Sequence, residues 1–430
     1  MYIVILQILY GVLSSGLSTD NERVSYEGAQ VWRTELRNGD DILLIKKLGD
    51  YKDLSIWSLK PRQVDFLITA ENKLNVHRHL QARRLNHTVL IMDVQTRIDA
   101  LAPGIDTWTE NSLRLGHRLD WKSYPSSKVI GEYYNYVAEN FPSICKVKNI
   151  GYTSENRSLK MISISDGNPK NKGILVVSGM HSREWIGITS ALYILDNIIT
   201  QFDLLSDYMK NKDWHIIPLL NPDGYEYTRL HDRLWRKNRH KSITRPRCRG
   251  VDINRNFETD WMIAGITATN ECDHSFSGPF PFSELESQAL RNAIADMKKP
   301  HAFFDLHSYG QLILYPWSAK KSPTPDYSKH LVTARGMAQA IYKTSSQLYK
   351  FGATYNLVYP ATGTALDWAY SNGIHHAYAV ETRDLGLNGF LTPPDQIEDA
   401  GKEIFAAVKH LAKVMEDRVS NRGSDEKSWF

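Results

Sequence analysis

The sequence is poor in cysteine, has no long apolar run and carries no dominant charge. Its 430 residues include three cysteines, and 52 Lys and Arg residues face 48 Asp and Glu residues. This slight basic excess is scattered, so nothing favours a nucleic-acid partner. No apolar stretch approaches the roughly 20 residues that a membrane-spanning helix needs. There is no internal repeat or low-complexity tract either, and fibrous, disordered and multi-pass membrane classes are excluded.

The composition is that of a globular protein with a sizeable core. Hydrophobic residues make up 42% of the chain and charged residues 23%, an ordinary balance for a folded domain. At roughly 150 residues per domain, the length predicts two to three domains.

The N-terminus is typical of a secretory signal peptide. Residues 2–13 form an apolar run, residues 14–16 are small, and Asp20 is the first charged residue. The run is too short to anchor the chain in a membrane, although it lacks the usual basic flank. The alternative is a buried strand or helix at the start of the chain. We expect residues 1–18 to be a signal peptide and the protein to be secreted.

Secretion would place the cysteines in an oxidising compartment, where they can pair. Because there are three, one stays free or pairs outside the chain. Cys248 and Cys272 flank a polar segment, which suits a disulfide that closes a loop. The sequence around Cys145 instead favours a buried strand. Asn86 and Asn156 begin Asn-x-Ser/Thr sequons, which can carry glycans in a secreted protein.

A polar stretch containing Pro, Gly and Arg divides the chain near residues 103–127. Before it, alternating apolar runs predict strands, and apolar residues at helical spacing predict helices. The predicted strands are residues 31–36, 54–59, 64–69 and 87–94, and the predicted helices are residues 39–50 and 71–84. We expect this part to be a small α+β unit with a ferredoxin-like fold.

After this stretch, apolar runs alternate with helical segments. A helix over residues 127–140 is expected to begin after a Ser126 cap and to stop at Phe141-Pro142. The further predicted strands are residues 159–165, 173–179, 214–220, 301–306 and 375–380. The other predicted helices are residues 188–202, 330–349, 396–415 and one opened by a Ser283–Glu286 capping box. This alternation predicts an α/β fold with a mixed, mostly parallel central sheet covered by helices on both faces.

Side chains that can bind a metal follow three of these five runs. His181 and Glu184 follow the second run, His307 the fourth and Glu381 the fifth. Ligands in open α/β sheets bind beyond the carboxyl ends of the strands. A single His-x-x-Glu match is weak, since chance produces such pairs. Two His and two Glu at strand ends, however, match a catalytic zinc site with three N/O ligands, an open position and a nearby base.

Several motifs, taken in order, resemble one known family. They are GMHSREW (179–185), NPDGY (221–225), LWRK (234–237), VDINRN (251–256), HSYGQ (307–311) and the spaced residues Val358, Tyr359, Gly363, Thr364, Asp367, Trp368 and Glu381. Over residues 119–415 they resemble the zinc metallocarboxypeptidases of the pancreatic and digestive (carboxypeptidase A/B) type. The segment before residue 118 resembles the activation propeptide of that family. The resemblance implies a signal peptide at 1–18, a propeptide at 19–118 and a catalytic domain at 119–430.

The resemblance implies that His181, Glu184 and His307 bind one zinc ion. Glu381 would be the general base that later protonates the leaving amine. Arg236 would polarise the scissile carbonyl and stabilise the oxyanion. Without these roles, Glu381 is a surface salt-bridge residue and Arg236 belongs to a solvated basic patch.

The resemblance also implies how substrate is held. Asn254 and Arg255 would bind the terminal carboxylate of the substrate, which a planar guanidinium matches in bidentate fashion. Tyr359 lies in a loop with the composition of a lid and would close over the bound peptide. Asp252 would orient the His181 ring by accepting a hydrogen bond.

Further implications concern the backbone around the cleft. The resemblance implies non-proline cis peptides at Ser308–Tyr309, Pro316–Trp317 and Arg383–Asp384. Ser308 and Tyr309 would face and bind the substrate, and Arg183 would assist its entry. A Cys248–Cys272 disulfide also matches the family.

Specificity in this family depends on the floor of the pocket, where an acidic residue selects Lys and Arg and an apolar residue selects apolar side chains. The resemblance implies that Leu366 forms the floor and that Asp367 points away. The expected walls are Leu314, Ser318, Thr354, Val358, Ala361 and Ala379. None of these is charged, so an unpaired Lys or Arg head would be costly to bury. We expect release of apolar and aromatic C-terminal residues; the alternatives are basic specificity or a Leu366 that is only part of the core.

The resemblance implies a monomeric zymogen that a trypsin-like protease activates. Arg114 and Arg118 are the candidate cut sites, and the propeptide would sit over the cleft. Substrates would be peptides and proteins with a free C-terminus, and regulation by an inhibitor protein stays open. One alternative is a zinc deacylase, which needs neither a propeptide nor a carboxylate clamp. Another is a catalytically silent zinc-binding module, which should have lost Glu381 or Arg236.

Overall fold

The computed structural model describes residues 23–51, 53–101, 109–242, 244–263, 266–297 and 300–416. The expected signal peptide and the polar C-terminal tail lie outside the described residues. Within them, no helix combines the length and the apolar character needed to cross a membrane.

The N-terminal unit is a four-stranded antiparallel sheet with helices packed against it. Its elements are β1 (Gln30–Glu35), α1 (Gly39–Asp50), β2 (Ser55–Lys60), β3 (Gln63–Ile68), α2 (Lys73–Ala82), β4 (His87–Ile91) and α3 (Val94–Ala100). The strand order is β2-β3-β1-β4, and the βαββαβ succession makes the unit ferredoxin-like. Alternating residues of the strands, such as Trp32 and Phe66, are buried with Leu80 of α2 in one core. The predicted α+β unit is confirmed.

The C-terminal unit follows the short helix α4 (Glu110–Leu115) and contains one large sheet. Its elements are α5 (Ser127–Asn140), β5 (Cys145–Tyr152), β6 (Ser158–Ile164), β7 (Lys172–Ser178), α6 (Trp185–Thr200), α7 (Asp207–Lys210), β8 (Lys212–Ile217), α8 (Pro222–Leu230), α9 (Leu285–Asp296), β9 (Ala302–His307), β10 (Leu312–Tyr315), α10 (Tyr327–Ser345), β11 (Lys350–Ala353), α11 (Thr354–Leu357), α12 (Ala365–Ser371), β12 (His376–Glu381) and α13 (Ile397–Glu416). The strand order is β11-β10-β12-β9-β7-β8-β6-β5. Strands β8, β7, β9 and β12 are parallel, whereas β6 is antiparallel to β8 and β10 to β12.

Helices cover both faces of this sheet because its central strands are apolar on both sides. Every residue of β9 and the last five residues of β7 are buried. Helices α5, α6, α10 and α13 share a core with one face of the sheet, and α9 and α12 share a core with the other face. The predicted mixed, mostly parallel α/β sheet is confirmed.

The start of α9 differs from the prediction. The Ser283–Glu286 capping box is wrong, because α9 begins at Leu285 with Glu284 as its N-cap. The Ser283 hydroxyl donates to the Glu284 side chain, and the Glu286 carboxylate accepts from Asn238 Nδ2. Neither side chain is therefore available to cap the helix.

The predictions for the cap of α5, the end of α10 and the cysteines can also be compared with the structure. The Ser126 side chain caps α5 as predicted, by accepting from Val129 N. Helix α10 ends at Ser345, earlier than predicted, because Ser346 adopts a left-handed conformation with φ 60°. Cys248 and Cys272 form a disulfide. Cys145 is a buried thiol at the start of β5, on the strand expected for it.

Candidate active site

Three side chains converge at the carboxyl ends of β7 and β9. His181 lies in the turn after β7, Glu184 is the residue before α6, and His307 ends β9. Gly179 makes this turn possible: its φ is +70°, and a Cβ there would lie 3.1 Å from Leu219 Cα. All three side chains are buried.

The ligand atoms of this triad lie close enough together to hold one metal ion. Glu184 Oε1 lies 2.9 Å from His181 Nδ1, and Glu184 Oε2 lies 3.0 Å from His307 Nδ1. The two Nδ1 atoms are 3.1 Å apart. A tetrahedral zinc site with ligands at ~2.1 Å needs donor atoms about 3.4 Å apart. Two imidazoles and one carboxylate are also donors that zinc prefers, so these residues fit zinc.

Each imidazole contacts a buried carboxylate through its other nitrogen. His181 Nε2 lies 3.0 Å from Asp252 Oδ1, the contact that the resemblance implied. His307 Nε2 lies 2.8 Å from Asp305 Oδ2. Sequence reasoning missed Asp305, because it falls inside an apolar run that predicts a strand. Its spacing from His307 was the available signal, since residues i and i+2 of a strand share a face.

Glu381 ends β12 directly beside His307, its register partner on β9. Burial raises the pKa of Glu381 to about 7; His307 and Arg236 lower it, and Glu184 and Asp305 raise it further. A carboxyl group with a pKa near neutrality can both accept and return a proton.

Arg236 and Glu381 both line the cleft that contains the triad. Arg236 Nη2 lies 2.9 Å from Asp252 Oδ2, and Arg236 Nη1 lies 3.6 Å from Glu184 Oε1. Asp252 is fully buried and therefore fixes His181 and Arg236 together. This arrangement holds a cationic donor beside the metal ligands.

Asn254 and Arg255 lie on a short 3-10 turn, Ile253–Arg255, at the cleft wall. Arg255 Nη2 donates to the Tyr359 hydroxyl at 2.7 Å, and Arg255 Nη1 donates to the Asn254 carbonyl. The Asn254 side-chain oxygen accepts from Ala365 N at 2.8 Å. A guanidinium, an amide and a phenol thus face one part of the cleft, a set that can bind a carboxylate.

The far end of the cleft contains the expected pocket residues. Leu366 and all six expected walls line it. The Asp367 carboxylate instead accepts hydrogen bonds from Ser318 N, Ser318 Oγ and Ala319 N. Burial raises the pKa of Asp367 to about 6, and these hydrogen bonds oppose the shift.

Ser308 and Tyr309 line the cleft, but Arg183 does not. Ser308 N donates to Glu184 Oε2, and the Ser308 hydroxyl has no hydrogen-bond partner among the described residues. Arg183 is buried, and its guanidinium lies 4.0 Å from the centre of the Phe390 ring. The cis peptides implied by the resemblance are present at Ser308–Tyr309, Pro316–Trp317 and Arg383–Asp384.

The N-terminal unit contributes to the wall of this cleft. Residues 57–60 of its β2 line the same cleft as His181, Glu184 and His307. The Trp57 ring lies 5.0 Å from the Phe390 ring. The Tyr309 hydroxyl donates to Asp65 Oδ2 at 3.0 Å, and Asp65 also pairs with Arg33. Arg33 Nη2 in turn donates to the Leu385 carbonyl at 2.6 Å.

A buried His–Glu–His donor set beside a desolvated carboxylate and an arginine defines the site of a mononuclear metallohydrolase. Comparison with family models agrees. Residues 130–407 match the zinc carboxypeptidase model, and residues 32–100 match the carboxypeptidase activation peptide model. The chain belongs to the zinc carboxypeptidase family and carries its activation peptide.

Curated relatives match most of the chain. Mouse carboxypeptidase A4 is 33% identical over 406 residues, covering 92% of this chain and 96% of the relative. Rat carboxypeptidase B is 29% identical over 426 residues, covering 96% and 99%. The yeast protein named inactive metallocarboxypeptidase ECM14 is 33% identical over 314 residues, covering 69% and 72%.

Solved structures share the whole architecture. Carboxypeptidase A from Helicoverpa armigera has a TM-score of 0.83 at 27% identity and covers 92% of this chain and 99% of its own. Thrombin activatable fibrinolysis inhibitor has a TM-score of 0.82 at 26% identity, covering 91% and 100%. The fold therefore agrees with that of these two proteins over more than nine tenths of the chain.

Proposed function

We propose that this zinc metallocarboxypeptidase is a secreted zymogen that releases apolar and aromatic residues from the C-termini of peptides. The observation that carries the specificity is that Leu366 and the six expected wall residues, all of them uncharged, line the cleft. Bound zinc would supply Lewis-acid chemistry and lower the pKa of water at the site. The remaining roles belong to the side chains of this chain.

The proposed division of labour follows from the contacts in the cleft. Asn254, Arg255 and the Tyr359 hydroxyl hold the terminal carboxylate of the substrate. Arg236, fixed by Asp252, donates to the developing oxyanion, a contribution that is typically worth ~10²–10³ in rate. Glu381 takes the proton of the attacking water and returns it to the leaving amine.

Positioning is proposed for the other cleft residues. Ser308 and Tyr309 contact the substrate upstream of the scissile bond, and Tyr309 becomes available once Asp65 leaves with the propeptide. Arg183 assists substrate entry, although in the zymogen its guanidinium is stacked on Phe390. His181, Glu184 and His307 are the three zinc ligands.

The energetics of the pocket favour apolar side chains. A Phe, Leu or Met side chain gains ~1.5–3 kcal/mol when it is fully buried. A Lys or Arg head would be buried without a partner, at a cost of several kcal/mol. Asp367 offers no such partner, because its carboxylate is occupied by the hydrogen bonds from Ser318 and Ala319. Ser318, Thr354 and Thr364 make the pocket slightly polar, so Tyr and Met also fit.

The test is a pair of blocked substrates that differ only in a C-terminal Phe or Arg. We expect a higher kcat/KM for Phe in the activated enzyme, and Leu366→Asp should shift the ratio toward Arg. Ala361→Ser, at the pocket wall, is the control that adds a hydroxyl but no charge. A higher kcat/KM for Arg in the unchanged enzyme would overturn the apolar assignment.

The domain plan is part of the proposal. It comprises a signal peptide at 1–18, a propeptide at 19–118 and a monomeric catalytic domain at 119–430 that a trypsin-like protease releases. The propeptide contacts across the cleft support a zymogen. A solved relative of 29% identity, bovine thrombin-activatable fibrinolysis inhibitor, is described in complex with tick carboxypeptidase inhibitor.

Loss of activity, as in the relative named inactive, is disfavoured here. Glu381 and Arg236 are both present and both line the cleft. A deacylase acting on small acylated molecules would need neither the propeptide nor the Asn254–Arg255–Tyr359 set. A blocked dipeptide and its C-terminal amide separate these alternatives, since only a carboxypeptidase requires a free C-terminal carboxylate on its substrate and a silent module hydrolyses neither.

A further inference from the structure

Asp305 is a buried carboxylate with one hydrogen-bond partner among the described residues. It is fully buried in the middle of β9, and its Oδ2 lies 2.8 Å from His307 Nε2. Its Oδ1 has no hydrogen-bond partner in the part of the chain that the structure describes. Its register neighbours on β7 and β12 are Val177 and Ala379, which are apolar. A buried carboxylate in such surroundings is costly unless it faces a positive centre.

The orientation of the His307 ring defines which of its nitrogens faces His181 and Glu184. Nδ1 faces Glu184 Oε2 at 3.0 Å and His181 Nδ1 at 3.1 Å, so it is the nitrogen that can bind a metal there. A neutral histidine that binds a metal through Nδ1 carries its proton on Nε2. That N–H requires an acceptor, because all of the ring is buried.

Of the two polar groups beside His307 Nε2, one can accept. Asn254 Nδ2 lies 3.1 Å away, but the Asn254 oxygen already accepts from Ala365 N, so the amide presents only its donor nitrogen to the ring. Asp305 Oδ2 is closer and is an acceptor. The hydrogen bond from His307 therefore goes to Asp305.

We propose that Asp305 is a positioning residue that fixes the metal-binding tautomer of His307 and strengthens its bond to zinc. It does for His307 what the contact of Asp252 does for His181. The negative charge of Asp305 is in turn compensated by the zinc–imidazole centre, which explains a carboxylate buried among apolar strands. A further consequence is that Asn254 makes no hydrogen bond to His307. Its amide N–H groups are therefore available to the substrate carboxylate.

The test compares the full-length chain with its Asp305→Asn variant, which keeps the side-chain volume and removes the charge. Zinc affinity is measured by competition with a chromophoric chelator. Loss of such a hydrogen-bond partner typically costs 10–100-fold, so we expect a loss of about 10-fold or more. The absorption spectrum of the cobalt-substituted protein should also change, because the ligand field of His307 changes.

The matched control is Asp367→Asn, which removes a carboxylate that is equally buried but touches no zinc ligand. It should leave zinc affinity and the cobalt spectrum unchanged. If Asp305→Asn does not accumulate as folded protein, Asp305→Ser gives the same measurement. Unchanged zinc affinity and an unchanged cobalt spectrum in the Asp305 variant would mean that Asp305 is merely structural. That outcome would overturn the inference and leave the carboxypeptidase assignment intact.

Discussion

Glu381 shows how position rather than residue type gives a side chain its chemistry. It is one carboxylate among many, but it ends a central strand beside His307 and shares a cleft with Arg236. Desolvation raises its pKa to about 7, whereas a solvated Glu titrates near ~4.3. The sequence alone predicts its placement at a strand end, but the pKa depends on neighbours from other parts of the chain.

Replacing Glu381 with Gln should remove nearly all turnover and leave zinc bound. The substitution keeps the shape of the side chain and removes the proton acceptor, while the three donor atoms of the metal site stay in place. We expect kcat to fall by about 10²–10⁴, with stoichiometric zinc by elemental analysis. His307→Ala is the contrasting variant and should lose zinc. If the Gln variant also loses zinc, Glu381 is a ligand and not the base.

The pH profile of the activated enzyme should show an acidic limb from Glu381. Its ionised form accepts the proton, so kcat/KM falls as pH drops through its pKa. The pKa of Glu381 is raised to about 7 when no metal ion is bound. A nearby cation favours the ionised carboxylate and lowers this pKa, so with zinc bound the fall in kcat/KM is centred below pH 7. The measurement is kcat/KM against pH at constant ionic strength. A rate that rises with falling pH would contradict the base assignment.

At the scale of elements, the sequence predicts those helices and strands whose own residues form a strong hydrophobic pattern. Strands β7 and β9 are continuous apolar runs because both of their faces are buried. Strands β10 and β11 have only four residues each and were not predicted, since their pairing comes from neighbours distant in the chain. The α9 capping box failed for the same reason: Asn238, far away in sequence, binds Glu286.

Activation should occur first at Arg114 on helix α4. The Arg118 side chain is 5% exposed and forms an ion pair with Glu132 at 2.7 Å, whereas Arg114 is exposed. Helix α4 has six residues, which is too short to be stable alone and can open for a protease. We expect Arg114→Gln to slow trypsin activation at least about tenfold and Arg118→Gln to slow it little.

The products of limited trypsin digestion settle the order, by intact mass and N-terminal sequencing of the catalytic fragment. Both variants replace an arginine with the same uncharged side chain, so each serves as the control for the other. A first fragment that begins at residue 119 in the unchanged zymogen would contradict the order.

At the scale of the whole molecule, the N-terminal unit contacts the cleft through residues that no local sequence pattern singles out. Residues 57–60 resemble any alternating strand in the sequence, yet in the folded chain they line the cleft. The same holds for the pairing of Asp65 with Tyr309, which are 244 residues apart. The sequence motifs therefore predict the metal-binding residues. The contacts between the N-terminal unit and the cleft are seen only in the folded chain.

Trp57→Ala should loosen the zymogen without altering the mature enzyme. Truncating a buried aromatic side chain typically costs ~3–5 kcal/mol, and each 1.4 kcal/mol is about a factor of ten in the population of an open state. We expect the uncut variant to hydrolyse a small substrate at least about tenfold faster. Leu43→Ala, an exposed residue of α1, is the control. Equal rates for both uncut variants would show that Trp57 does not hold the cleft closed.

The burial of Trp57 also has an optical consequence. Its indole is 7% exposed and lies against the rings of Phe390 and Tyr309. When the N-terminal unit departs, that indole passes from an aromatic contact into water, where tryptophan fluorescence shifts to longer wavelength. Trp57 is one of 11 tryptophans and lies where the two units meet, so the change in emission on activation reports their separation independently of any substrate.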